Sequence, residues 1–311
     1  MTLDADQIVD RRRLARRLTV WRVIAFGFAL IALLAIIAVV SGDLLNRAQP
    51  HIARVTVSGT ILEDPKRDEM LAEIARSSSV RAVIVSIESP GGTTTGAEAL
   101  YTELRLIAEE KPVVATIRTI GTSAAYAAAI AADHVIARET SITGSIGVLF
   151  QWANFGDLMD TIGIDVDSIK SDPLKAEPSP FDETTPEERA VIRALIDDSY
   201  DWFLGIVADR RGLDREQART LADGRIYSGR AAVDNGLIDA IGGEREARAW
   251  LTEEYDINTN LDVIDWEPGD EFAGLALGAR ALRALGLDDL LPTAPALDGL
   301  ISVWHPQLLE D

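Results

Sequence analysis

The 311-residue chain contains no cysteine. That excludes disulfides, thiolate nucleophiles and cysteine-held metals. Histidine is nearly as scarce, with only His51, His134 and His305. No two of them stand at metal-ligand spacing, so no metal site or other cofactor is expected. Lysine is the next shortage: Lys66, Lys111, Lys170 and Lys175 are the only lysines among 30 basic residues. The ratio reads as a codon bias toward arginine, yet each lysine raises a chemical question. A lysine can give up its proton in a protein, whereas an arginine cannot. Positive charge is also short overall, the net being −20. The first 22 residues hold six arginines against Asp4, Asp6 and Asp10, so the remainder carries −23. A body that acidic repels phosphate backbones, and nucleic acid is not an expected partner.

What is present is apolar residue, 47% of the chain against 26% charged, the balance of a globular protein. One run is longer than a soluble core needs. Val23 to Gly42 reads VIAFGFALIALLAIIAVVSG without a charge, and at about 1.5 Å per residue it spans about 30 Å of hydrocarbon. Arg11, Arg12, Arg13, Arg16, Arg17 and Arg22 precede it, and only Arg47 follows closely. The positive-inside rule then keeps the N-terminus in the cytoplasm and puts the large domain across the membrane. A cleaved signal peptide has a shorter apolar core, about 7–15 residues, so an uncleaved single-pass anchor in contact with lipid is expected. The expected organisation is a basic cytoplasmic stretch (1–22), a transmembrane helix (23–42), a linker (43–51), a main domain (52–251) and a C-terminal extension (252–311). The extension is rich in Ala and Leu with Gly and Pro breaks, and reads as a helical hairpin or an oligomer contact.

From Ile52 the pattern alternates. Ile52 to Ile61, Arg81 to Ile87, Lys111 to Ile117 and His134 to Ala137 read as strands. Asp68 to Arg76, Thr95 to Glu110 and Ser123 to Ala132 read as helices between them. RAVIVSI at 81–87 is apolar on both faces, as in a covered parallel sheet. This rhythm predicts an α/β layered fold with right-handed crossovers. Ligands then bind at the carboxyl ends of the strands. Thr-Pro-Glu-Glu at 185–188 starts a long helix to Arg211.

Two loops at strand ends are candidates for chemistry. Glu88 to Gly96 (ESPGGTTTG) has the outer glycines of a phosphate loop but lacks its lysine, because Ala97 and Glu98 follow. Gly91-Gly92 can equally form an ordinary turn or present backbone N–H groups to an oxyanion. In Arg118 to Ala129 (RTIGTSAAYAAA), Ser123 opens an alanine-rich helix. It fits a helix cap and also a nucleophile presented at a strand-to-helix turn. A serine nucleophile needs a base. No histidine sits in a matching motif, so a lysine is the alternative. At pH 7 a free lysine is neutral about once in 2,500, and tuning it to neutrality requires roughly 4–5 kcal/mol from burial and contacts.

Several stretches together resemble one family, the membrane-anchored serine peptidases of the signal peptide peptidase A family. They are Ser89-Pro90-Gly91-Gly92, Thr122-Ser123-Ala124-Ala125-Tyr126 and Ile142-Thr143-Gly144-Ser145-Ile146-Gly147-Val148. Lys175-Ala176-Glu177-Pro178-Ser179-Pro180-Phe181 follows, then Ala222 to Arg230 (ADGRIYSGR) and Asn235 to Asp239 (NGLID). The resemblance covers about Ile52 to Leu251. It implies a ClpP/crotonase-like fold, Ser123 as nucleophile, Lys175 as general base and Ser145 orienting that lysine. It implies an oxyanion hole from the N–H groups of Gly92 and Ala124, with Lys170 a bystander. It also implies peptide substrates, residual signal peptides or other membrane-proximal polypeptides, cut without ATP. The expected assembly is a homo-oligomeric ring in which one protomer's lysine can complete its neighbour's site.

The chain departs from the family pattern in two places. Ala124-Ala125 replace a usual Gly-Gly, and Ala176 stands where an acid often follows the lysine. Two other readings remain open on sequence: a non-catalytic oligomeric scaffold of the same fold that binds peptides or membrane partners, and a crotonase-type enzyme acting on acyl-CoA.

Overall fold

In the computed structural model the apolar runs lie side by side as strands, with helices between them. The structure describes residues 47–268 and 300–303, with a few positions between 21 and 27. The expected membrane anchor at 23–42 and the extension from 269 thus fall mostly outside the described residues. Among the described residues no helix is long and apolar enough to cross a membrane. The chain divides into two compact units, Met1–Pro50 and His51–Asp311, and the second carries all that follows.

In chain order the first elements are β1 (His51–Ile61), α1 (Pro65–Arg76), β2 (Val80–Thr93), α2 (Thr94–Glu110), β3 (Val113–Thr122), α3 (Ala124–Ile130) and β4 (His134–Ala137). Next come β5 (Ile142–Gly144), β6 (Leu149–Phe150), α4 (Gly156–Ile162), α5 (Pro186–Arg211) and α6 (Arg215–Leu221). The last are β7 (Ile226–Ser228), α7 (Gly229–Asp234), β8 (Ala240–Ile241), α8 (Glu244–Tyr255), β9 (Val263–Trp266) and β10 (Leu300–Val303).

The fold is α/β with a mostly parallel sheet. Its spine runs β9-β1-β2-β3-β4-β8, every pair parallel. The alternation of side chains explains why 81–87 is apolar throughout. Val83, Val85 and Ile87 belong to the main core with Leu100, Leu104 and Ile107 of α2. Ala82 and Ile84 face the other way, with Val114, Ile136 and the α8 residues Ala247 and Leu251. Both faces are covered, as a parallel sheet requires. Full burial of a side chain such as Ile84 contributes about 1.5–3 kcal/mol.

Helix boundaries follow cap chemistry. Asp64 accepts from the N–H groups of Lys66 and Arg67 to start α1. Thr93 accepts from Gly96 N at 3.1 Å to start α2. Thr185 and Glu188 form a capping box at α5, with Pro186 at the first turn.

The strands differ from the sequence expectation at their carboxyl ends. Segments 88–93 and 118–122, which read as loops, continue β2 and β3. Their Gly and Pro are poor strand formers locally, but backbone pairing with neighbours holds them. Thr60 and Ile61 of β1 pair with Gly91 and Gly92, and Ile120 to Thr122 pair with β5. Residues 252–311, expected as an extension, contribute β9 and β10 to the same sheet.

Candidate active site

Beyond Ser89, which pairs with Gly121, β2 and β3 part. β5 lines β3 on the side where β4 pairs its first half. Three buried hydroxyls brace the fork. Thr122 Oγ1 donates to Pro90 O at 2.9 Å. Thr143 Oγ1 donates to Gly121 O at 2.8 Å. Ser89 Oγ donates to Gly59 O at 2.6 Å and accepts from Gly91 N at 3.1 Å. None of these bracing roles was read from the sequence. The available signal was a set of small hydroxyl residues at the ends of apolar strands.

Ser123 sits at the tip of β3, immediately before α3. Its backbone has φ 58° and ψ −121°, and its side chain makes no cap hydrogen bond to the helix. That removes the helix-cap reading. A non-glycine residue held in such a conformation costs of order 1–3 kcal/mol, and the surroundings must enforce it. They do so through the main chain. Ser123 N donates to Gly144 O at 2.8 Å, and Ser123 O accepts from Tyr126 N and Ala127 N at 2.9 and 3.0 Å. The geometry is a strand, a sharp turn and a helix, as at a nucleophile elbow.

Helix α3 is buried along its whole length. Its alanines allow close packing, and Tyr126 anchors it by donating its hydroxyl to Leu237 O at 2.8 Å. Burial pushes the Tyr126 hydroxyl well above the ordinary phenol range, so it stays a donor. Ala124 and Ala125 are fully buried members of the main core. The two methyl groups that replace the usual glycines are therefore packing groups. Ala124 is the first residue of α3, and the leading N–H groups of a helix have no acceptor within it.

Gly92 lies on β2 opposite Ile61. A Cβ there would stand 1.8 Å from Ile61 O, so the approach of β1 already demands glycine. Ser145 follows Gly144, which pairs with Thr122 on one side and Ile226 on the other. Ser145 has φ 51°, and its N–H donates to Arg225 O at 2.8 Å. Ser123 and Ser145 thus leave adjacent strands at the same level. The structure brings Gly92, Ser123, Ala124 and Ser145 to one end of the sheet.

Lys175 belongs to none of these strands. It is exposed in a turn where its N–H donates to Asp172 O at 3.0 Å. Ala176 follows at φ 64°. Lys170 forms an ion pair with Glu177. That hydrogen bond raises the lysine above its ordinary pKa and lowers the carboxyl below its own, so Lys170 is held charged. Lys111 donates to Ile74 O and Ser77 O, both at 2.8 Å, near the opposite end of β3.

Histidine is excluded by register among the described residues. His134 pairs with Val114 and His51 with Val80, at the amino ends of the strands. At about 3.3 Å per residue, the nine steps from Val114 to Ser123 put His134 about 30 Å from the fork.

The two late motifs support this site. Arg225 O holds the Ser145 turn, and the Tyr227 ring fills the space beside Gly144. Leu237 O holds Tyr126. Asp239 accepts from Val135 N at 2.8 Å and from both amino nitrogens of Arg211, at 2.7 and 3.1 Å.

Comparison with known proteins identifies the family. The sequence profile of Peptidase family S49 matches residues 105–258, a span that includes Ser123, Ser145 and Lys175. A Synechocystis sp. protein named as a candidate protease, slr0021, is 38% identical over 218 residues, covering 69% of this chain and 79% of that one. The chain belongs to Peptidase family S49. An Enterococcus faecium protein named as a candidate signal peptide peptidase SppA is 32% identical, over 76% of this S49 chain and 67% of its own. Protease 4 of Haemophilus influenzae is 33% identical over 63% of this chain, which spans only 33% of that larger protein. A ClpP1 N165D mutant from Listeria monocytogenes aligns with TM-score 0.43 and 15% identity, over 65% of this chain and 95% of its own. Membership in a peptidase family disfavours the acyl-CoA reading.

Proposed function

We propose that this S49 chain is a serine endopeptidase on a ClpP/crotonase-like scaffold, with Ser123 as nucleophile and Lys175 as general base. The observation that carries the reading is the backbone of Ser123, strained at a strand-to-helix turn while its hydroxyl does no capping work.

In this mechanism Ser123 Oγ attacks the scissile carbonyl carbon as its proton passes to neutral Lys175 Nζ. The N–H groups of Gly92 and Ala124 stabilise the oxyanion. The C–N bond breaks, and the departing amine takes the proton from Lys175. Lys175 then deprotonates a water that attacks the acyl ester, restoring Ser123. Ser145 orients the lysine.

A lysine base must be covered to stay neutral, and a neighbouring protomer is the proposed cover. In support, the segment around Lys175 exposes apolar side chains that soluble surfaces avoid, among them Leu158, Ile164, Val166, Ile169 and Phe181. A homo-oligomeric ring would bury them and bring a lysine to each serine. Residues 23–42 would anchor the ring in the inner membrane with the peptidase domain extracytoplasmic. Residual signal peptides or other membrane-proximal polypeptides would be the substrates.

The test is hydrolysis of a peptide library by the detergent-solubilised full-length protein. Ser123→Ala and Lys175→Ala should each abolish turnover, and Lys66→Ala, at an exposed helix start, should retain it. Cleavage by Ser123→Ala at the parent's rate sinks the mechanism. A correctly assembled parent that cleaves nothing supports a peptide-binding scaffold instead.

A further inference from the structure

Helix α8 covers the amino half of its sheet face, where Ala247 and Leu251 pack on Ile52, Ala82, Ile84 and Val114. Toward the carboxyl ends of the strands the same face turns polar. Thr56, Ser86 and Thr116 stand opposite one another on β1, β2 and β3. They floor a cavity of about 690 Å³. A fully covered parallel sheet carries apolar residues at such positions. The hydroxyls of Thr56 and Ser86 have no partner among the described residues.

Two arginines stand at one end of this row. Ile117 of β3 pairs with Ala137 of β4, so Arg118 and Arg138 follow at the same level, and both line the cavity. At a strand spacing of about 4.8 Å, like charges side by side repel unless an anion lies between them. Buried Ser141 fixes the pair: its Oγ accepts from Arg138 N at 2.9 Å and donates to Arg118 O. The Arg138 guanidinium lies against Gly243, where a Cβ would stand 2.6 Å from Nη2. Neither guanidinium is hydrogen-bonded to a carboxylate. Arg138 has no ion pair among the described residues. Arg118 Nε is 3.6 Å from Glu88 Oε2, which accepts instead from Thr119 N at 3.0 Å. The third arginine, Arg54, is already engaged. Asp265 accepts from its Nε and Nη2 at 2.5 and 2.8 Å, and Glu244 from its Nη1 at 2.9 Å. Asp265 and Glu267 line the other end of the cavity, four strand spacings or about 19 Å from the β4 side.

We propose that this cavity binds a phosphate ester of a small polyol, with the phosphate between Arg118 and Arg138 and the polyol over the Thr56–Ser86–Thr116 row. Two guanidinium forks offer more donors than a carboxylate can accept, and a tetrahedral oxyanion matches them better. The acidic end accepts hydroxyl donors and repels a second anion. The net charge of −20 likewise disfavours a polyanion. The ester is either a soluble molecule or the headgroup of a glycerophospholipid, and the experiment separates the two. The site lies about 17 Å before Ser123 along β3, and it does not rest on the peptidase reading.

The test is calorimetric titration of the full-length protein in a non-ionic detergent. The probes are glycerol phosphate and, below its micelle concentration, dihexanoyl phosphatidylglycerol, with glycerol and acetate as controls. At least one phosphate probe should bind with Kd below about 1 mM, and glycerol should not bind. Arg118→Gln and Arg138→Gln should each weaken binding roughly tenfold or more, the scale of a lost hydrogen bond between charged groups. The Arg118 side chain is 64% exposed, so its replacement leaves the fold intact. Arg81→Gln, at the exposed amino end of β2, should bind as the parent does. So should Ser123→Ala, which keeps this result separate from the fate of the peptidase reading. Binding of glycerol phosphate alone assigns a soluble ester, and binding of the lipid alone assigns a headgroup. Binding of neither overturns the proposal, as does acetate bound as tightly as the phosphate probes, or binding that survives both arginine substitutions.

Discussion

Thr122 donates its hydroxyl to the carbonyl oxygen of Pro90 at 2.9 Å, tying the strand that leads into Ser123 to the strand that carries Gly92. The bond sits where the two strands separate, so it fixes the distance between the Ser123 turn and the glycine strand. Thr122 is fully buried. Thr122→Val keeps the shape and removes the donor, leaving a carbonyl unpaired at a cost of about 1–3 kcal/mol. The effect on rate should exceed what the stability loss alone causes. A misplacement of about 1 Å at a reacting group can lower turnover on the order of 100-fold. Expected is a fall in kcat of at least tenfold with KM little changed, in protein shown to be folded by its thermal midpoint. Unaltered kcat would mean that the fork geometry is set elsewhere.

Ser123 offers a contrast between stability and activity. Its φ of 58° with ψ −121° suits glycine and no residue with a Cβ. Ser123→Gly should therefore raise stability by about 1 kcal/mol even after the glycine's extra unfolded-state entropy. In a domain of this size that is about 2–4 °C in Tm. Ser123→Ala keeps the strain and should gain less. Both should lack peptidase activity. A glycine variant less stable than the alanine variant would show that the conformation carries no strain.

Gly92→Ala tests a different limit. The new methyl would fall 1.8 Å from Ile61 O, which is backbone in the neighbouring strand and cannot rotate away. The strands must separate along the Thr60–Ile61 ladder. Overpacking of this kind costs 1–3 kcal/mol and sometimes more. Expected is a large fall in Tm or failure to fold, checked by thermal melting. Lost activity in that variant would not by itself report on an oxyanion role.

The strand interiors and the helices between them were legible because local pattern and global packing agree there. Val83, Val85 and Ile87 serve one core while Ala82 and Ile84 serve the other, so a continuous apolar run points to a covered sheet. The strand tips were not legible. Ser-Pro-Gly-Gly reads as a turn, yet Gly91 and Gly92 are paired with Thr60 and Ile61, some 30 residues earlier. β10 was less visible still, because Leu-Ile-Ser-Val in an Ala/Leu-rich tail gains its strand character from partners at 91–93 and 149–150. Ser123 could be placed at a strand-to-helix turn from sequence, but not chosen between cap and nucleophile. The missing cap bond removes the first reading, and the register that puts His134 at the far end of the sheet leaves a lysine as the base in the proposed second one. Lys175 came from family resemblance alone. Its segment is mostly exposed, so no periodicity marks it.

His134 provides the pH test. Its ring stacks on Trp250 at 4.7 Å with 9° between planes. Burial lowers its pKa below the ordinary value, against the pull of Asp239, whose Oδ2 lies 3.8 Å from Nδ1. Arg211 and Glu254 act in opposite directions on the ring, lowering and raising. The unfolded chain therefore takes up the proton first as pH falls, beginning near the ordinary histidine pKa of about 6.5. Stability is complete above that value and is lost between it and the lower folded pKa. Asp239 works in a separate, more acid window. Desolvation favours its neutral form, but the Arg211 fork and the Val135 N–H hold it below the ordinary carboxylate value, so its contribution is lost only as pH drops through that lower range. Denaturation midpoints of the parent at pH 7.5 and 5.5 should show a fall, and His134→Gln should fall less over the same interval. A parent and a variant that lose the same stability between those two pH values would mean that His134 takes up its proton equally well in the folded chain.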